Sequence, residues 1–213
     1  MSKPTLREIF YSLDPNIDGA SVKYNNYLDV YEQHFFLRRS SPVKLLEIGI
    51  EKGGSLSMWQ KYFPKASIVG LDIVPGTKKN ERDRIKVVIG DQNDKDFLER
   101  VGQEEGPFDI IIDDGGHYTP QHLTCFDGLY KYLCNDGLYI VEDLHTCYMP
   151  NFNKGEPTFM DFCKFLCDST SNTDPNSQIK NMHFYRSMVV IEKGFTPGQK
   201  VLSPGFELVP YPQ

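Results

Sequence analysis

The sequence has no excess of positive charge: 23 Lys and Arg stand against 29 Asp and Glu, a formal net charge of −6. A protein whose main work is to grip phosphate backbones needs the opposite balance, which argues against nucleic acid as the partner. It also has no apolar run long enough to span a bilayer, and its opening stretch, MSKPTLREIFYSLD, carries no hydrophobic core of the signal-peptide kind. No membrane partner is expected, and the chain reads as cytoplasmic. Cysteine is scarce and unpatterned. Cys125, Cys134, Cys147, Cys163 and Cys167 are odd in number and form no C-x-x-C, so neither a disulfide framework nor a zinc site is indicated. Cys163 and Cys167 can share a helix face, but with no nearby His to complete a ligand set they read as reduced packing residues. Repeats and low-complexity tracts are absent as well.

What remains is an ordinary globular composition in 213 residues, enough for one domain with a substantial core. From residue 44 onward, short β-type runs alternate with helix-period runs, the pattern of an α/β sheet. The strand candidates are KLLEIGI (44–50), SIVGLDI (67–73), IKVVIG (85–90), FDIIIDD (108–114), GLYIVED (137–143) and SMVVIEK (187–193). All are rich in Val, Ile and Leu, as strands covered on both faces must be. SLSMWQKYF and PQHLTCFDGLYKYL read as crossover helices, the second stopping at the NDG of 135–137.

Before the first strand, VKYNNYLDVYEQHFF sets Val22, Tyr24, Tyr27, Leu28, Tyr31 and Phe35 near one helix face. That helix can pack on the sheet or lie over the carboxyl ends of the strands. We expect one domain over 1–213: an N-terminal helical cap at 1–42, a core at 43–150, a lid-like insertion at 151–182, and the last strands and tail at 183–213. Within the insertion, a helix through Phe159, Phe162, Cys163 and Leu166 leads into the polar run DSTSNTDPNSQ, where mobility is expected, and the proline-rich C-terminus reads as an extended tail.

The strand tips carry the chemistry. LLEIGIEKGGS ends a strand at Glu47 and then gives Gly49, Gly53 and Gly54 ahead of a helix. Such a turn lets the backbone approach a ligand and aims helix N–H groups at an anionic group. The spacing is not the G-x-G-x-x-G that holds a pyrophosphate. An acid two positions before the first glycine suits instead a ligand carrying an ammonium and a sulfonium. The second strand ends at Asp72, about 20 residues beyond the glycine turn, where an acid hydrogen-bonds a ribose in this architecture. The third ends in GDQND, offering Asp91 and Gln92 to an adenine edge.

With FDIIIDDGGH, GLYIVEDLHT and HFYRSMVVIEKG added, these residues resemble the class I S-adenosylmethionine-dependent methyltransferases. Within them the likeness is to the metal-dependent, mycinamicin-type sugar O-methyltransferases of macrolide biosynthesis. It covers residues 43–148 and 183–194 and is weak in the N-terminal helices and in 151–182, and acceptor specificity is expected in the N-terminal helix and 144–182. The resemblance implies a Rossmann-like class I methyltransferase fold of the α/β class, a mostly parallel seven-stranded sheet flanked by helices, with the last strand antiparallel. It places S-adenosylmethionine against Glu47, Gly49, Gly53, Ser55, Asp72, Asp91 and Gln92, with Asp113 either beside them or capping its turn. It also implies Mg²⁺ on Asp114, Glu142 and Asp143, and a general base at His117. Gly116 departs from the Ser that relatives often carry, with little harm expected.

Three carboxylates without thiolates suit a hard cation that leaves positions for substrate oxygens. A cation on a sugar hydroxyl lowers its pKa and orients it, and His117 and Asp114 become the catalytic pair. The expected acceptor is a small molecule or glycan with adjacent hydroxyls, and a second copy of the chain is admitted as a partner. A catechol or phenol acceptor fits the same carboxylates. A non-catalytic nucleotide-binding module, an NAD-linked Rossmann protein and the hydroxylase-named relatives of the family are further alternatives. His145 is close enough in sequence to belong to the same pocket, whereas His34, His122 and His183 read as structural.

Overall fold

The computed structural model describes residues 3–153, 155, 157–171 and 178–195, together with the backbone of Lys200–Val201 and Val209–Pro210. Two helices lead, α1 (Leu6–Tyr11) and α2 (Asn25–Phe35). The strands β1 (Lys44–Ile48), β2 (Ser67–Asp72), β3 (Ile85–Ile89), β4 (Phe108–Asp113) and β5 (Leu133–Val141) follow, with α3 (Gly54–Tyr62), α4 (Lys95–Glu105) and α5 (Thr119–Leu129) among them. After β5 come α6 (Phe159–Ser171), β6 (Ile179–Tyr185) and β7 (Met188–Lys193), and the two-residue strands β8 (Lys200–Val201) and β9 (Val209–Pro210) pair with each other.

The seven strands β1 to β7 form one sheet in the order β3-β2-β1-β4-β5-β7-β6. Pairing is parallel from β3 through β5, and β7 runs antiparallel to both β5 and β6. Period-two alternation sends successive isoleucines of β4 to opposite faces. Ile110 and Ile112 pack with α1, α2 and α3 through Leu6, Tyr31 and Trp59. Ile111 packs with α4, α5 and α6 through Leu98, Phe126 and Phe159. This three-layer sandwich buries both faces of the sheet, which is why its strands read as unbroken apolar runs. Chain order reverses between β1 and β4, and ligands bind at the carboxyl ends of strands beside such a reversal.

Several sequence expectations need correcting. The NDG of 135–137 does not stop a helix: α5 ends at Leu129, and these residues form an irregularity inside β5 with Asp136 at φ 60°. Asp136 and Gly137 both tolerate the backbone such a bulge requires. β6 went unrecognised, and it begins at Ile179, inside the stretch assigned to the insertion. As an edge strand with mostly exposed side chains it lacks the apolar run of the others. Helix α1 lies within the expected N-terminal helical cap, while α4 has no counterpart in the sequence reading, although each carries a local start signal, in Thr5 with Glu8 and in Asp94. Helix α2 starts at Asn25, so Val22 and Tyr24 precede it and are exposed. Of the polar run DSTSNTDPNSQ (168–178), residues 168–171 complete α6 instead of leaving it, and 172–177 lie outside the described residues, as does most of the expected tail. Among the described residues, no helix is long and apolar enough to cross a membrane.

Candidate active site

The turns that follow β1 to β5 enclose a cleft of about 800 Å³ at the carboxyl edge of the sheet. Its first wall comes from β1, β2 and β3. After β1 the chain turns at Gly49 with φ 84°, and a Cβ there would stand 2.2 Å from the carbonyl oxygen of Asp114. Only glycine lets the turns after β1 and β4 touch in this way. Asp72, at the tip of β2, accepts hydrogen bonds at Oδ2 from the N–H groups of Ile50 (3.1 Å) and Glu51 (3.0 Å). Oδ1 accepts from Val74 N–H at 2.9 Å. The carboxylate lines the cleft and at the same time braces the glycine turn. Asp91 lies beside it, and Gln92 Oε1 accepts from Gly116 N–H at 2.8 Å, linking the tips of β3 and β4.

The second wall comes from β4 and β5. Donor atoms of Asp114, His117 and Asp143 lie within 4.8 Å of one another, an arrangement able to hold a metal ion. His117 Nε2 is 3.5 Å from Asp143 Oδ2 and 4.0 Å from Asp114 Oδ1. Both His117 (φ 60°) and Asp143 (φ 56°) hold left-handed backbone, a strain that non-glycine residues carry most often at functional sites. Thr146 secures the pair, its hydroxyl donating to the carbonyls of His117 (3.0 Å) and Asp143 (2.8 Å). Glu142 is buried behind this trio. Asp114 and Asp143, with Glu142 behind them, supply the carboxylate oxygens that a hard divalent cation takes, so the residues present fit the expected Mg²⁺ and leave His117 free as a base.

Gly49, Asp72, Asp91, Gln92, Asp114, His117, Glu142 and Asp143 all line the cleft. Others from the sequence reading do not. Asp113 is fully buried with Oδ2 3.1 Å from His122 Nδ1, so its carboxylate faces the core and supports the turn from below. Gly53 shapes the start of α3 at φ 81°, with its N–H on the Ile50 carbonyl, and is not part of the lining. Ser55 donates to Glu47 Oε2 at 2.8 Å, and both lie beneath the cleft rather than on its surface. At Gly116 a Cβ would meet only the flexible end of Gln121. His145 stands at the rim, 4.0 Å from Asp143 and edge-on to Tyr24.

Sequence reasoning missed Lys23. Its side chain is 1% exposed, and its ammonium bonds Asp114 Oδ2 and, at 2.7 Å, Glu142 Oε1, with Glu47 Oε1 at 3.8 Å. It was overlooked because a loop lysine is ordinarily solvated. From α2, Tyr31 donates to Glu142 Oε1, and Tyr27 donates to Asp143 Oδ1 at 2.8 Å. The tyrosine-rich face therefore belongs both to the core and to the acidic floor.

That floor crowds several acids around one ammonium. Burial opposes the charge of Lys23, but Asp114, Glu142 and Glu47 outweigh it and hold its pKa well above the usual value. Burial pushes Glu47 up to about 7 against the pull of Lys23. Glu142 and Asp114 are raised for the same reason, and Asp114 adds its own charge against Glu142. One cation does not compensate so many buried acids, so the floor favours additional positive charge. His117 is lowered by burial, against the pull of Asp114 and Asp143, which favours the neutral imidazole at neutral pH.

No family model matches the chain. A sheet in this order, with acidic tips on both sides of its reversal, defines the Rossmann-like class I methyltransferase fold. The mycinamicin VI 2''-O-methyltransferase of Micromonospora griseorubida is 37% identical over 188 residues, 77% of this chain and 47% of that protein. A tetracenomycin-C 3'-O-methyltransferase of Streptomyces olivaceus, which acts on the 2-methoxy-rhamnosyl compound, is 37% identical over 79% of this chain and 49% of its own. The crystal structure of the MycE methyltransferase of the mycinamycin pathway, with Mg and SAH, superposes with a TM-score of 0.80 at 33% identity. It matches 91% of this chain and 55% of that one. The chain belongs to the class I S-adenosylmethionine-dependent methyltransferases, in the branch of the mycinamicin-type O-methyltransferases. It spans about half the length of the curated relatives it matches.

Proposed function

We propose that this protein is a Mg²⁺-dependent O-methyltransferase that moves the methyl group of S-adenosylmethionine to a sugar hydroxyl with a hydroxyl neighbour. The sugar is part of a glycan, a glycoside or a nucleotide sugar, and the reaction takes place in the cytoplasm. The observation that carries this reading is the union of two half-sites in one cleft. Gly49, Asp72, Asp91 and Gln92 stand on one wall, and Asp114, His117 and Asp143 on the other. The relatives support the acceptor class, since they are named for methylation of sugars on macrolide and tetracenomycin compounds.

Methyl transfer from a sulfonium is an in-line displacement, so most of the catalysis is positioning. Asp72 and the turn it braces would hold the nucleoside, and the acids of the floor would face the cationic end of the donor. Asp114, Glu142 and Asp143 would hold the divalent cation, which when bound acidifies and orients a hydroxyl. His117, kept neutral by burial, would accept the proton at Nε2 as the methyl group moves.

The test combines three measurements. S-adenosylmethionine should raise the melting temperature. Mass detection over a panel of glycosides and catechols should show methylation of a vicinal sugar diol, and chelation should abolish it. Turnover confined to catechols would reject the sugar assignment, and turnover that survives chelation would reject the metal.

A further inference from the structure

Lys23 stands in a stretch that otherwise faces solvent, since Val22 and Tyr24 on either side are 87% and 52% exposed. Both also line the cleft, but the lysine is the one whose side chain is buried, and its Nζ bonds oxygens of Asp114 and Glu142 with Glu47 behind them. Asp114 and Glu142 are two of the three carboxylates of the expected metal set, and Asp114 also belongs to the cluster with His117 and Asp143. A Mg²⁺ ion sits about 2.0–2.1 Å from a carboxylate oxygen. An ammonium at hydrogen-bond distance from Asp114 and Glu142 would then lie within a few ångströms of a dication held by the same carboxylates in a buried site, where repulsion is strong.

The segment that carries Lys23 is anchored at both ends and loose between them. Upstream, Asp18 pairs with Lys61 at 2.9 Å, Ser57 donates to the Asp18 carbonyl, and Gly54 N–H bonds the Ala20 carbonyl at 3.3 Å. Downstream, α2 begins at Asn25 and Tyr27 is tied to Asp143. Between these anchors Ser21 and Val22 make no hydrogen bond or ion pair. Tyr24 belongs to the downstream anchor, its carbonyl accepting from Tyr27 N–H at 3.0 Å and its ring edge-on to Tyr27 and His145, so the untied stretch through which Lys23 could leave the floor is residues 21–23.

We propose that Lys23 is a tethered cation that occupies the acidic floor in competition with the divalent metal and swings out to the mouth of the cleft when the metal binds. It holds the carboxylates together in the metal-free protein and makes metal binding and opening of the 21–23 segment one event. The inference rests on the metal reading above and adds a competitor built into the chain.

Mn²⁺ is the probe, read by electron paramagnetic resonance without acceptor or turnover. Lys23→Met should bind Mn²⁺ tenfold or more tighter than the unmodified protein. In the unmodified protein, Lys23 should resist reductive methylation by formaldehyde and borohydride until Mn²⁺ is added, then react with the midpoint of the Mn²⁺ titration, as read by peptide mass spectrometry. Equal or weaker binding by Lys23→Met, or protection that persists at saturating Mn²⁺, overturns the inference and leaves the metal reading intact. If neither protein binds Mn²⁺ and Asp114→Asn behaves like both, the metal reading falls and the inference with it. Should Lys23→Met fold only when Mn²⁺ is supplied, the metal has replaced the lost cation, which is the expected relationship. Should it not fold at all, the protection experiment on the unmodified protein decides.

Discussion

His122 Nδ1 lies 3.1 Å from Asp113 Oδ2, and neither residue has any exposed surface. The pair sits directly beneath the turn that carries Asp114 and His117, and Asp113 also accepts from Gly115 N–H at 3.4 Å. Removing the imidazole would leave a buried carboxylate short of a partner, a loss of about 3 kcal/mol or more. His122→Ala should therefore lower stability by roughly that amount in urea titrations. Asp113→Asn, which keeps an acceptor, should lose less and should bind S-adenosylmethionine as the unmodified protein does. Loss of binding in Asp113→Asn without loss of stability would return Asp113 to the cofactor set.

Replacing His117 by Asn keeps a residue that tolerates left-handed backbone while removing the base. We expect His117→Asn to fold with an unchanged thermal shift by S-adenosylmethionine. Its kcat should fall roughly 10²- to 10⁴-fold, the usual value of general-base help. Unaltered kcat with a good acceptor would remove His117 from catalysis.

Gly49→Ala meets two obstacles, positive φ and the backbone of Asp114. Left-handed backbone alone costs a non-glycine residue about 1–2 kcal/mol. Because the colliding atom is a main-chain carbonyl, the turns after β1 and β4 must separate. The variant should lose S-adenosylmethionine binding by calorimetry along with stability, although no side chain is removed. Undiminished affinity would show that the two turns need not touch.

Glu47 gives a pH signature. Its pKa in the folded protein is raised from the ordinary 4.5 to about 7. Between those values the folded state holds a proton that the unfolded chain has released. The stability this proton contributes is lost as pH rises through about 4.5 to 7. Glu47→Gln has no such proton to lose. Thermal unfolding from pH 5 to 8 should therefore show the variant gaining on the unmodified protein as pH rises, most of the change falling below pH 7. A constant difference would mean that the carboxyl titrates normally.

The sequence displayed the central strands because covered strands are apolar throughout, and it displayed the cleft because ionisable residues at strand tips stand out against those runs. Asp72, Asp114 and His117 were legible in this way. What stayed hidden depended on contacts between distant segments. Nothing in VKYNNY says that the lysine turns inward, since a buried lysine is explained only by acids that lie far along the chain. The inward face of Asp113 was invisible for the same reason, because its partner His122 sits on α5 amid ordinary helix residues. β6 escaped because an edge strand with exposed side chains carries neither an apolar run nor a clean alternation.

The reversal of strand order between β1 and β4 has a consequence for descent. On the proposed function, the donor would be held on one side of that seam and the acceptor on the other, and the two sides meet where Gly49 lies against the carbonyl of Asp114 and where Gly116 N–H bonds Gln92. A lineage of this design would be free to change what it methylates through the segments on the acceptor side while the glycine turn on the other side keeps its methyl source.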